Sequence, residues 1–341
     1  MKKPDRQSLF LGAVILCAGL AIAYVVITGS VSSPRPVIQV AADGGPRSLE
    51  EIPFDGQQAY EYLKQICDLG PRPSGSPGMQ QQQQMLQEHF EQLGGKVRFQ
   101  KTSIRHPDDG SAVEIANLIV EWHPDRPNRV LLCAHYDTRP YPDSDPDPKN
   151  RKGVFVGAND GASGVAVLMQ LGTAMPALTG QYGVDFVLFD AEEFIFNDRR
   201  DSYFVGSEYF ARDYVQNPPP YRYRYGVLLD MVGDRNLELY VEKNSATWKD
   251  TRPVVESLWG VARDLGVQEF IPRTRHRVSD DHLALRNIAK IPTCDVIDLD
   301  YPSANLRTNY WHTTHDTPDK CSALSLAKVG WVMQEWLRRF P

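Results

Sequence analysis

The hydrophobic pattern of this chain changes character twice. Residues 9–28 read LFLGAVILCAGLAIAYVVIT and carry no charge. An uncharged apolar run of that length can cross a bilayer as a helix. Lys2, Lys3 and Arg6 precede it, so residues 1–8 are expected in the cytoplasm and the remainder outside it. A cleaved signal peptide is the competing reading. Its apolar core is usually shorter, and no clean small-x-small cleavage site follows, with the stretch 28–33 left open. Residues 29–50 are rich in Ser, Pro and Gly and read as a linker.

From residue 51 the pattern is that of a globular domain. Helical periodicity covers 56–69 and 79–93, and strands are expected at 97–104 and 113–122. Short apolar runs at 130–134, 184–189, 226–229 and 291–297 then alternate with helical stretches at 164–175, 207–214, 254–265 and 322–340. This alternation predicts one α/β domain over 51–341, with a mixed, mostly parallel sheet flanked by helices. No internal repeat is present, and no second linker-like stretch divides the domain. The run Gln80–Gln84 reads as a solvated helix face, being too short for a low-complexity tract.

Composition narrows the class. The chain has 341 residues, 42% hydrophobic and 23% charged, which suits a protein with a sizeable core. The net charge is -6 and the basic residues are not clustered, so a nucleic-acid surface is excluded. Of the five cysteines, Cys17 lies in the apolar run. Cys67, Cys133, Cys294 and Cys321 would meet an oxidising space if exported. None is spaced as CxxC, which argues against a zinc-thiolate site, and no pairing can be read from them.

The chemistry sits at the strand ends, where ligands bind in sheets of this kind. The run at 130–134 is followed by His135-Tyr136-Asp137, and a loop then leads to GANDGASG at 157–164. The run at 184–189 is followed by Asp190-Ala191-Glu192-Glu193, and that at 226–229 by Asp230. Ser279-Asp280-Asp281-His282 and Tyr310-Trp311-His312-Thr313 follow later. Histidine and carboxylate ligands with an open position make a catalytic zinc site. A metal that polarises a carbonyl still needs a separate base. Adjacent Glu192 and Glu193 can divide these roles, and a cation beside them relieves their repulsion.

Single members of the set have plainer readings. Asp137 alone is a turn or capping residue. His315 could pair with His312 as an i, i+3 ligand set, but Pro318 argues against a long helix there. The acidic loop 143–147 faintly resembles a calcium loop, yet prolines interrupt it and the required Gly and Glu are absent. The whole set is far more specific than any member.

In order and spacing, His135-x-Asp137, GAND ending at Asp160, Glu192-Glu193, Asp230 and His312 resemble the zinc aminopeptidase family M28. That resemblance implies an α/β fold and a two-zinc site of His135, Asp160, Glu193, Asp230 and His312, with Glu192 as general base. HYDTRPYPDSDP, LFDAEE, GVLLDMVG, SDDHL, YWHTTHDT and the early GPRPSGSPG look like glutaminyl cyclases of the same fold, especially bacterial ones, over roughly residues 55–341. The closer resemblance implies a single zinc on Asp160, Glu193 and His312, with His135 and Asp230 as second-metal candidates. It also implies Glu192 as the acid/base, Asp230 and Asp281 as a carboxylate network near the leaving group, and Trp311 on the wall of the glutamine pocket. A tryptophan common in the insert after the glutamates is not evident, and Tyr203 or Phe204 stands in its place. The expected reaction is zinc-dependent cyclisation of N-terminal glutamine of peptides and proteins to pyroglutamate, with release of ammonia. The alternative is a two-zinc aminopeptidase. A non-catalytic binding domain is disfavoured because every metal and base residue is present. The expected location is a single-pass membrane protein with its catalytic domain outside the cytoplasm, or a secreted or periplasmic protein after signal cleavage.

Overall fold

Local sequence explains where each element begins. The computed structural model describes residues 47–305 and 308–339. The expected anchor at 9–28 and most of the linker lie outside the described residues, and among the described residues no helix is long and apolar enough to cross a membrane. Helix α1 (Gly56–Asp68) starts where Asp55 accepts the Gln58 amide at 2.9 Å. Helix α2 (Pro77–Gln92) starts where Ser76 accepts the Met79 amide at 3.1 Å, with proline at the first helical position. Both starts use side-chain oxygens or a missing N–H to settle otherwise orphaned helix donors.

Strands β1 (Lys96–Arg105) and β2 (Ala112–Trp122) form an antiparallel pair. The chain continues through β3 (Asn128–His135), α3 (Ser163–Gly172), β4 (Gly183–Phe189), α4 (Val205–Gln216) and β5 (Arg222–Asp230). Then come β6 (Leu239–Glu242), the short α5 (Lys243–Thr247), α6 (Arg252–Leu265), β7 (Phe270–Arg275), α7 (Asp281–Asn287), β8 (Thr293–Ile297) and α8 (Ala323–Arg339). The main sheet has the order β1-β2-β4-β3-β5-β8, and β6 and β7 pair separately. Strands β4, β3, β5 and β8 run parallel, while β1 and β2 join antiparallel at one edge. The fold is therefore the mixed, mostly parallel α/β arrangement that the alternation predicts.

Burial follows the strand patterns. All of β4 is buried, because helices cover both faces of a parallel sheet and leave no polar side. Edge strand β1 alternates between half-buried and exposed positions. Strand β3 has β4 on one side and β5 on the other. The chain thus winds outward in both directions from the end of β3, which makes a crevice at the carboxyl ends of these strands. Strands β6 and β7 and helix α7 were not expected: each is short, and β7 (FIPRTR) carries a proline and two basic residues.

Candidate active site

The crevice gathers the strand-end residues. His135 closes β3, Asp160 lies in the loop before α3, Glu192 and Glu193 follow β4, Asp230 closes β5, and His312 lies between β8 and α8. His135 Nε2 stands 3.1 Å from Asp160 Oδ1 and 3.2 Å from Asp230 Oδ1. His312 Nε2 stands 3.0 Å from Glu193 Oε2 and 3.5 Å from Asp160 Oδ2. Asp160 therefore turns one oxygen toward each histidine and joins two half-sites.

Backbone geometry makes this convergence possible. Gly157 and Gly161 flank the Asp160 loop at φ 60° and 93°. A Cβ on Gly161 would stand 2.5 Å from the Asp137 carbonyl oxygen, so only glycine lets the loop press onto the end of β3. Ala191, Met231 and His312 hold φ between 49° and 55°. Left-handed non-glycine residues are costly and concentrate at functional sites. At Ala191 the turn sends the two following glutamates in different directions.

Other residues fix the first set in place. Asp137 accepts the amides of Glu192 and Glu193 at 3.1 and 3.2 Å and lies 3.6 Å from His135 Nδ1. It is a turn clasp, as its plain reading holds, but one built into the site. Asp316 accepts the amides of Asn159 and Asp160 and the Tyr301 hydroxyl. The Arg139 amide donates to Glu193 Oε1 at 2.9 Å. Its guanidinium donates to both oxygens of Asp143, to Asp198 and to the Tyr203 hydroxyl. Asp143 in turn lies 3.8 Å from His312 Nδ1. Arg139 and Asp316 were missed from sequence, although both fall inside the quoted motifs.

A cavity of about 250 Å³ opens over the cluster, lined by Glu192, Asp230, Asp280, Tyr203, Phe204 and Trp311 among others. The Trp311 ring stacks on His312, with centroids 3.7 Å apart. Of the Asp280-Asp281 pair, Asp280 is on the cavity wall. Asp281 is fully buried, and neither of its carboxylate oxygens has a hydrogen-bond partner. His315 is exposed and lies against Tyr310, so it is no partner of His312. In the acidic loop, Asp145 caps Thr314 through its amide and hydroxyl. The four described cysteines are buried and free.

The electrostatics of the cluster are those of excess negative charge. Burial, with repulsion from Glu193, Asp280 and Asp281, pushes Glu192 well above the usual carboxylate range. Burial and repulsion from Asp160 do the same to Glu193. Burial and the nearby Arg139 press His312 down to about 3. Burial opposes the charge of His135, but Asp137, Asp160 and Asp230 outweigh it and raise its pKa. The donor set fits a divalent cation: His135, Asp160 and Glu193 bring ligand atoms within 4.8 Å of one another. Asp160 Oδ2 and Asp230 Oδ1 are buried without hydrogen bonds. Nitrogen and carboxylate donors around an open cavity suit zinc.

Comparison with known proteins agrees. Residues 117–337 match the model of peptidase family M28. The structure is similar to a glutaminyl cyclase of Fimbriiglobus ruber, with a TM-score of 0.78 and 41% identity, covering 84% of this chain and 95% of the other. It is also similar to a zinc-dependent exopeptidase of Parabacteroides distasonis, with a TM-score of 0.76 and 33% identity, covering 84% and 98%. The alkaline phosphatase isozyme conversion protein of Escherichia coli is 24% identical over 150 residues, which span 41% of this chain and 44% of that protein. The chain is a member of peptidase family M28, in the branch that holds the bacterial glutaminyl cyclases.

Proposed function

We infer that the protein is a glutaminyl-peptide cyclotransferase, which closes the N-terminal glutamine of peptides and proteins to pyroglutamate and releases ammonia. The observation that carries this is 41% identity to a glutaminyl cyclase along 95% of that enzyme. The cavity supports it, with a carboxylate floor and aromatic walls at Tyr203, Phe204 and Trp311. Because nucleophile and electrophile belong to one residue, the pocket's task is to fold the side chain back onto the amine.

Asp160, Glu193 and His312 would hold one zinc ion, whose chemistry there is polarisation of the substrate γ-carbonyl. Glu192 would take a proton from the attacking α-amine and return it to the leaving nitrogen. A carboxyl group raised by burial is suited to both transfers. Asp230 and Asp280 would steady the departing amide nitrogen from the cavity wall, with Asp281 supporting them from behind. Trp311 and Tyr203 would clamp the glutamine side chain and keep water from the carbonyl.

The second reading is a two-zinc aminopeptidase, favoured by the His135 and Asp230 half-site that shares Asp160. One experiment separates the two. The purified protein is offered a peptide beginning with Gln and another beginning with Leu. Ammonia release with a lactam-capped, otherwise intact peptide supports the cyclase. Freed N-terminal amino acids without lactam would move the protein to the aminopeptidases.

The proposed location is a membrane anchored through residues 9–28, with the domain outside the cytoplasm. The uncharged run and the basic residues before it support this. Alkaline carbonate extraction of membranes tests it: retention in the pellet is expected, and full release of a shortened chain would mean signal cleavage.

A further inference from the structure

Behind the cavity, and sharing Asp280 with its wall, lies a second buried cluster. Strand β6 ends in Glu242, Asp280 and His282 stand at the start of α7, and β8 carries Asp295. Asp280, His282 and Asp295 bring ligand atoms within 4.8 Å of one another, and none is more than 3% exposed. His282 Nδ1 lies 3.6 Å from Asp295 Oδ2, and Nε2 lies 3.6 Å from Glu242 Oε2. These separations exceed hydrogen-bond length. Both ring nitrogens, both oxygens of Asp295 and Oδ2 of Asp280 are buried without hydrogen-bond partners.

Buried polar atoms are almost always paired, so orphans facing one another mark a missing partner. Two ligand atoms each ~2.1 Å from a tetrahedral ion stand about 3.4 Å apart, close to the Nδ1–Asp295 spacing. Glu242 is a fixed anion, since its oxygens accept the amides of Asn244, Ser245 and Val278. It faces Nε2 and so favours the proton on that nitrogen, leaving the Nδ1 lone pair toward Asp295. A carboxylate behind the far nitrogen is the usual support of a metal-bound imidazole. Among the described residues, no lysine or arginine pairs with Asp280, His282 or Asp295.

We propose that Asp280, Asp295 and His282 Nδ1 hold a structural divalent cation of the zinc or manganese class, separate from the metal of the catalytic cavity. One imidazole with carboxylates suits a borderline metal rather than calcium. Because all three side chains are buried, the ion is expected to bind as the chain folds and to leave as it unfolds. It would tie α7 to β6 and β8 directly behind Asp280.

The test uses the full chain, metal-analysed after dialysis, together with crystals measured at the zinc and manganese absorption edges. An anomalous peak between Asp280, Asp295 and His282 is expected, apart from any peak at Asp160. A His312→Ala, Glu193→Gln double variant should keep this ion while losing the cavity metal, and His282→Ala should lose one equivalent per chain. Wild-type crystals with water or nothing at this point, grown from protein refolded with zinc and manganese, would overturn the proposal and leave a hydrogen-bonded network. That result would leave the cyclase reading untouched.

Discussion

Adjacent glutamates can serve different ends only if the backbone separates them. Both line the cavity, but Glu193 is buried and held by the Arg139 amide, whereas the Glu192 side chain is 13% exposed. Glu192→Gln is therefore expected to lower the cyclisation rate by roughly 10² to 10⁴ while leaving bound zinc unchanged; metal analysis beside steady-state kinetics checks both halves. Glu193→Gln should instead lose zinc. The Asp280-Asp281 pair is a second case of neighbours with unequal places. Asp280→Asn is expected to cost about 10² in kcat, because Asp280 lines the cavity. Asp281→Asn should show its main effect in thermal stability. A larger kcat loss in Asp281→Asn would restore the assignment that the motif alone implied. The residue types and their order were legible in the sequence because each follows an apolar run. Which of two adjacent carboxylates faces the cavity was not, since that depends on the direction the chain takes as it enters α7.

At the scale of elements, connections carry much of the site. Arg139 joins the Glu193 carboxylate to Asp143, and to Asp198 and Tyr203 of the insert after β4. Removing a group that orients a metal ligand typically costs 10–100-fold in metal affinity. Arg139→Met should weaken zinc by about that factor and raise KM, as the Tyr203 wall loosens; chelator competition and a KM–kcat split measure the two effects. The junction of β6 and α5 gives a pH prediction. Although burial opposes it, His282 and the amides of Asn244 and Ser245 hold Glu242 down at about 2. A carboxylate lowered on folding stabilises the native state above its unfolded pKa, and that stabilisation is lost as pH falls through the folded value. Glu242→Gln should thus be less stable than wild type at neutral pH, with the gap closing from about 4.5 toward 2. Denaturant unfolding at several pH values would show it. The long, buried or strongly periodic elements could be read from sequence. Strands β6 and β7 could not, because four or six residues with no clear period leave nothing for a pattern to act on.

For the whole molecule, the order in which metals leave is the most informative behaviour. The cavity metal would sit in an open pocket, whereas an ion at Asp280, Asp295 and His282 would be enclosed by the core. Chelation at neutral pH should therefore abolish activity while the protein stays folded. A ligand present at 100 times its Kd adds about 2.7 kcal/mol, and roughly 1 kcal/mol moves Tm by 2–4 °C in chains of 150–250 residues. Chelation should accordingly lower Tm by only several degrees, reversed together with activity by added zinc. Loss of the enclosed ion should require unfolding, so refolding in chelator should yield a chain less stable than one refolded with metal. If mild chelation and refolding in chelator give the same melting curve, the cavity metal is the sole metal contribution to stability. Metal count alone would then separate cyclase from aminopeptidase. If the curves differ, two ions per chain no longer argue for a peptidase, and the chemistry of the product has to decide.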